Sequence, residues 1–156
     1  MALVAIETDG DKELTDKVFK VMNEQQAKHN RKLERIAKIP TEGTKKTVFL
    51  ENIEGYRHRK NTFRWLAKSR PYENIVFYTC KNHGTIPKDI KMITDFYFLP
   101  LLSHYDGKDR IRIMIFSQGD WLDKIDMSRW YMKSMIATIK KGKISIRNRK
   151  EYGSEA

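Results

Sequence analysis

The sequence predicts an α/β sandwich with a mainly parallel sheet, preceded by a long charged N-terminal helix. Three observations carry this. After Pro40, short runs of β-branched and aromatic residues alternate with helical segments, and strands separated by helices imply crossover connections and parallel pairing. The runs VFL, IVFY and IMIF are continuously apolar, as expected of central strands buried on both sides. Residues 11–38 contain neither Gly nor Pro and place Leu14, Val18, Val21 and Met22 at helical spacing.

The elements follow in order. MALVAIETDGD has only a short apolar run before its acids, so it does not read as a signal peptide. Thr8, Asp9 and Asp11 are N-cap candidates for a helix over 11–38, which Pro40 and Gly43 close. A polar gap runs from Asn23 to Lys32 before Leu33, Ile36 and Ala37 resume the stripe. This helix reads either as a solvated face or as an arm for RNA, a protein partner or a second copy of the chain. TVFLEN (47–52) reads as a strand, 59–69 as a helix and NIVFYTC (74–80) as a strand. Residues 88–99 read as a helix that bends or breaks at Pro100, where a continuing helix would lose a hydrogen bond. RIRIMIFS (110–117) is the clearest strand, 128–141 a helix and KISI (143–146) a last strand. The alternation of Lys143, Ser145 and Arg147 fits a charge-guarded edge or a phosphate contact. The organisation expected is a helical extension over 1–40, an α/β domain over 41–150 and a mobile tail over 151–156.

Composition bounds the function. The chain has 156 residues, 40% hydrophobic and 33% charged, enough for one domain with a real core. Its 31 Lys+Arg against 20 Asp+Glu give a net charge of +11, which suits an anionic partner such as nucleic acid. The single cysteine, Cys80, excludes an internal disulfide and a cysteine-rich zinc site, and points to a reducing, cytoplasmic setting. The longest apolar run, FYFLPLL, is too short to cross a bilayer, so no membrane association is expected. His29, His58, His83 and His104 lack metal-ligand spacing, and neither GxGxxG nor GxxxxGK[ST] is present.

In parallel sheets ligands bind beyond the carboxyl ends of the strands. There the first strand supplies Glu51 and Asn52, and the third supplies Asp120, with Asp123 one turn further on. Asp95 lies among Met92, Ile93, Phe96 and Leu99, where a carboxylate needs a partner, a metal or an open edge. Three acids on one rim repel one another unless a cation such as Mg²⁺ or Mn²⁺ sits between them. Arg57, Arg59, Lys60, Arg64, Lys68 and Arg70 follow the first strand and would hold flanking phosphates, while Tyr56 and Trp121 offer faces for unpaired bases.

VFLENIEG, IPKDIKMITDFYFLPLL and RIRIMIFSQGDWLD together resemble the PIN-like nucleases, in particular their NYN branch, over roughly residues 46–146. The resemblance implies a Rossmann-like three-layer sandwich and metal-dependent hydrolysis of single-stranded RNA by water attack. Glu51, Asp95 and Asp120 would hold Mg²⁺ or Mn²⁺, Asp123 would be a further catalytic acid, and Asn52 would position the strand. A second reading stands beside it: a non-catalytic basic nucleic-acid-binding or assembly protein of viral or mobile-element origin, whose acids are structural. The nuclease needs its acids within a few ångströms of one another, whereas the binding protein needs its basic residues on one face.

Overall fold

The computed structural model describes residues 3–36, 46–56, 74–117 and 133–150. Their strands form a single sheet of eight. The first strand, β1 (Leu3–Glu7), occupies its middle, and Leu3, Val4, Ala5 and Ile6 are all fully buried. Alternate side chains serve opposite faces: Leu3 and Ala5 join one apolar cluster, Val4 and Ile6 the other.

Helix α1 (Lys12–Ala27) starts at Asp11, whose side chain accepts the Leu14 amide at 3.1 Å, and it buries Val18, Val21 and Met22 against the second cluster. It stops well short of residue 38. Asn30 adopts a positive φ of 58°, and the Arg31 amide reaches back to the Gln26 carbonyl, a left-handed closure that the polar gap leaves unopposed by any apolar anchor. The chain then extends into β2 (Leu33–Ile36), followed by β3 (Thr47–Leu50), a 3-10 turn at Ile53–Tyr56 and β4 (Ile75–Cys80). A second 3-10 turn (His83–Thr85) precedes the short helix α2 (Lys88–Ile93).

From here the chain folds as a meander. β5 (Phe96–Tyr105), β6 (Lys108–Ser117), β7 (Lys133–Lys140) and β8 (Lys143–Lys150) pair antiparallel in sequence order. Asp106-Gly107 turns β5 into β6, and Lys141-Gly142 turns β7 into β8. All four of these residues have positive φ, as two-residue hairpin loops matched to strand twist require. Pro100 lies beyond Phe98, the last residue of β5 paired to β1, so its missing N–H falls where β5 is bonded on one side only.

The strand order is β2-β3-β4-β1-β5-β6-β7-β8, with parallel pairing as far as β5 and antiparallel pairing beyond it. This overturns the predicted fold. The sheet is mixed, most of its paired residues lie in antiparallel ladders, and it is not a parallel Rossmann-like or PIN-like sandwich. No long N-terminal helix precedes it, because β1 and α1 are integral to the sheet and its core. Helices predicted over 88–99 and 128–141 give way to strands from Phe96 and from Lys133. The helix expected over 59–69 and the tail over 151–156 lie outside the described residues.

Candidate nucleic-acid interface

Of the predicted acidic site, the described members Glu51 and Asp95 are not brought together. Register places Asp95 level with Leu3 and Glu51 level with Ile6, on strands three places apart. At about 3.3 Å per residue and 4.8 Å per strand they stand roughly 17 Å apart, too far to share one ion. Asp95 sits at the amino end of the parallel strands. There its amide donates to the Leu3 carbonyl at 2.9 Å, and its carboxylate accepts the Leu3 amide at 3.1 Å. The partner that an acid in this apolar setting needs is therefore the start of β1.

Glu51 stands at the carboxyl end of β3 and is bound by Arg35, which also pairs with Asp16 at 2.6 Å and lies 5.2 Å over the Phe19 ring. Arg35 thus ties β2, β3 and α1 together, and its hydrogen bond holds the Asp16 carboxyl below the ordinary range. Among the described residues no three acidic, histidine or cysteine side chains converge as metal ligands. Asp120 and Asp123 lie outside the described residues, as do Arg57, Arg59, Lys60, Arg64, Lys68, Arg70 and Trp121.

A cleft of about 380 Å³ does open at the carboxyl ends of β1, β3 and β4, lined by Thr8, Lys12, Arg35, Glu51, Asn52 and Glu54 among others. Its acids are already engaged: Glu51 by Arg35, and Glu54 by the Lys81 amide and the Thr85 hydroxyl, each at 2.6 Å. Asn52 takes a positive φ of 60°, and its amide donates to Thr79 at 2.8 Å, so it shapes the turn into the 3-10 segment that ends at Tyr56. Cys80 is buried at the cleft floor with its thiol 3.7 Å from the Ile6 carbonyl. Burial pushes its pKa up, so it stays a neutral thiol.

Among the described residues, the strongest concentration of like charge lies elsewhere, on the antiparallel half of the sheet. Residues opposite one another in an antiparallel ladder point to the same face. On one face β6 presents Lys108, Arg110 and Arg112, β7 presents Lys140, and β8 presents Lys143, Arg147 and Arg149. Arg112, Ile136 and Arg147 form one cross-strand row, and Lys108, Lys140 and Lys143 another. Arg110, Lys140, Lys143, Arg147 and Arg149 are exposed. No acid shares this face on β5, β6, β7 or β8; Asp109 points to the other side, where it pairs with Lys17 of α1 at 2.8 Å. The opposite side of β8 turns Ile144 and Ile146 onto the cluster that α1 covers.

Beside the basic column of β6, on the same face, β5 carries Leu101, Ser103 and Tyr105, with Leu101 51% and Tyr105 72% exposed. Lys143 and Arg147 were legible as an alternating basic strand. Arg110, Arg112 and Tyr105 were missed, although the Asp-Gly turn flanked by alternating residues was the signal that could have found them.

No protein-family profile and no curated protein matches the chain. Among solved structures, the N-terminal domain of zonular occludens toxin from Neisseria meningitidis is similar with a TM-score of 0.44 and 13% identity, covering 72% of this chain and 83% of that one. That likeness is too slight to assign either fold or function. Among the described residues, no helix is long and apolar enough to cross a membrane.

Proposed function

We propose that the protein is a nucleic-acid-binding protein whose contact surface is the basic face of β6, β7 and β8, and that its acids are structural. The observation that carries this reading is a sheet face with cations on three adjacent strands and no acid among them. Edge protection accounts for lysines and arginines on β8, the last strand of the sheet. It does not account for Arg110 and Arg112, which sit two strands inward, where pairing already guards the backbone. Like charges held at strand spacing repel, and a polyanion relieves that repulsion while releasing its own counterions. Glu51 and Asp95 support a structural role, because each already has an internal partner and they lie on opposite rims.

The test is fluorescence anisotropy with labelled RNA and DNA across a salt series. Engaging four phosphates of a single strand gives a slope of log affinity against log salt of about −2.8, a roughly fiftyfold loss between 50 and 200 mM. The double variant Arg110→Ala/Arg147→Ala lowers that slope by about 1.4. Binding without salt dependence, or unchanged in the double variant, refutes the assignment. The same samples incubated with Mg²⁺ or Mn²⁺ test the acids: metal-dependent cleavage abolished by Asp120→Asn would establish a nuclease instead.

A further inference from the structure

Resting on that reading, we infer that the face takes single-stranded nucleic acid, its phosphates over the β6 column and its unpaired bases over β5. The inference comes from the juxtaposition of two unlike columns on one face. Arg110 and Lys108 of β6 stand directly opposite Ser103 and Tyr105 of β5, and Arg112 stands opposite Leu101. One strand spacing, about 4.8 Å, therefore separates a line of cations from a line with an exposed phenol ring and an exposed leucine. Successive same-face positions along β6 are about 6.8 Å apart, comparable to the spacing of neighbouring phosphates along a nucleic-acid strand, whether single or paired.

Exposure of Tyr105 and Leu101 decides between strand types. Each leaves apolar surface in water directly beside charge, and an unpaired base offers a flat apolar face that covers such surface. A duplex keeps its bases stacked inside and presents only phosphate and sugar to a flat sheet, so it would leave both side chains uncovered. Ser103, between them, donates its proton to the Arg110 carbonyl at 3.4 Å and leaves its oxygen to accept from a base edge or a sugar hydroxyl. The contact is indifferent to base identity, because every base has a stacking face. RNA and DNA strands share the chemistry, and preference for either is read from the comparison below.

The experiment compares four ligands of equal length at one salt concentration: single-stranded RNA, single-stranded DNA, duplex DNA and an abasic single strand. Wild type is expected to bind the base-bearing strands about tenfold more tightly than the duplex or the abasic strand. Tyr105→Ala should weaken the base-bearing strands about five- to tenfold and leave the abasic strand unchanged, and Tyr105→Phe should restore wild-type binding. Tyr105 is largely exposed, so both variants should retain the wild-type melting transition. Equal affinity for duplex and single strand, or equal weakening of base-bearing and abasic strands by Tyr105→Ala, overturns the inference while leaving a nucleic-acid-binding face intact. Failure to bind any of the four ligands overturns both readings.

Discussion

Removing the hydroxyl of Tyr78 should destabilise the wild type and stabilise one of its variants. The Thr94 hydroxyl has a single proton, donated to the Ile90 carbonyl at 2.7 Å, so in the 2.7 Å contact between Thr94 and Tyr78 the tyrosine must be the donor. Both side chains are fully buried. Tyr78→Phe removes one neutral hydrogen bond and leaves the Thr94 proton where it was, at a cost of about 1 kcal/mol. Thr94→Val strands a buried phenol O–H without an acceptor and takes a donor from the last turn of α2, at a cost of about 2–3 kcal/mol. In the double variant the stranded hydroxyl is gone, so adding Tyr78→Phe to Thr94→Val should recover about 1 kcal/mol. Urea unfolding of the four proteins, with a common m-value, measures each step. If Tyr78→Phe destabilises by the same amount in both backgrounds, the two hydroxyls are not coupled and the donor assignment is wrong.

Tyr78, Tyr97 and Cys80 all have pKa values raised chiefly by burial, so the fold keeps these protons where the unfolded chain would release them. Their contribution is full below the ordinary thiol value and declines as pH climbs past about 8.5 for Cys80 and about 10 for the tyrosines. Urea midpoints across pH 8–11 should fall accordingly, and Cys80→Ala should flatten the first part of that fall. On the acid side the hydrogen bond from Lys17, followed by that from His104, lowers the Asp109 pKa, giving stability that is present above about 3.9 and lost as pH falls through the folded value. Asp109→Asn should therefore reduce the slope of melting temperature against pH below 4, and a control in high salt should shrink the difference. Gly142 has φ +78° with nothing within 4 Å of an added Cβ, so Gly142→Ala should cost about 1–2 kcal/mol from backbone strain alone. Lys141→Asn, at φ +49°, should raise the melting temperature slightly, because asparagine tolerates the left-handed region better.

Local pattern was legible in three apolar strands but not in β5, whose run FYFLPLL was read as the end of a helix. TVFL, IVFYTC and RIRIMIFS read as strands and are strands. What failed was the inference from spacing to pairing. Segments of about ten residues between strands read as crossover helices, but Phe96–Tyr105 is itself a strand, and the Asp-Gly turn sends the chain straight back antiparallel. Residues 3–6 read only as a short apolar run because four residues give no period, and their central place depends on partners far along the chain. Asp95 was rightly marked as an acid needing a partner, yet no sequence pattern could say that the partner was a backbone amide 92 residues away. Lys143 and Arg147 stood out through their alternation, whereas Arg110 and Arg112 were hidden inside the strand RIRIMIFS, read for its apolar content.

The central position of β1 bears on synthesis by the ribosome. This strand is made before both of its neighbours, and the residue that brackets its first amide, Asp95, follows Leu3 by 92 positions. At about 5–20 residues per second, the LVAI segment waits roughly 5–20 s in water before the last of its contacts is translated. Over that interval it is an unpaired apolar strand with two open backbone edges, the kind of segment that chaperones hold and that aggregates capture. The meander of β5 to β8 faces no such delay, since each strand meets its partner within one short turn or one intervening segment. Translation speed between the codons for residues 7 and 75 should therefore govern the soluble yield of this protein more than the speed of any later stretch.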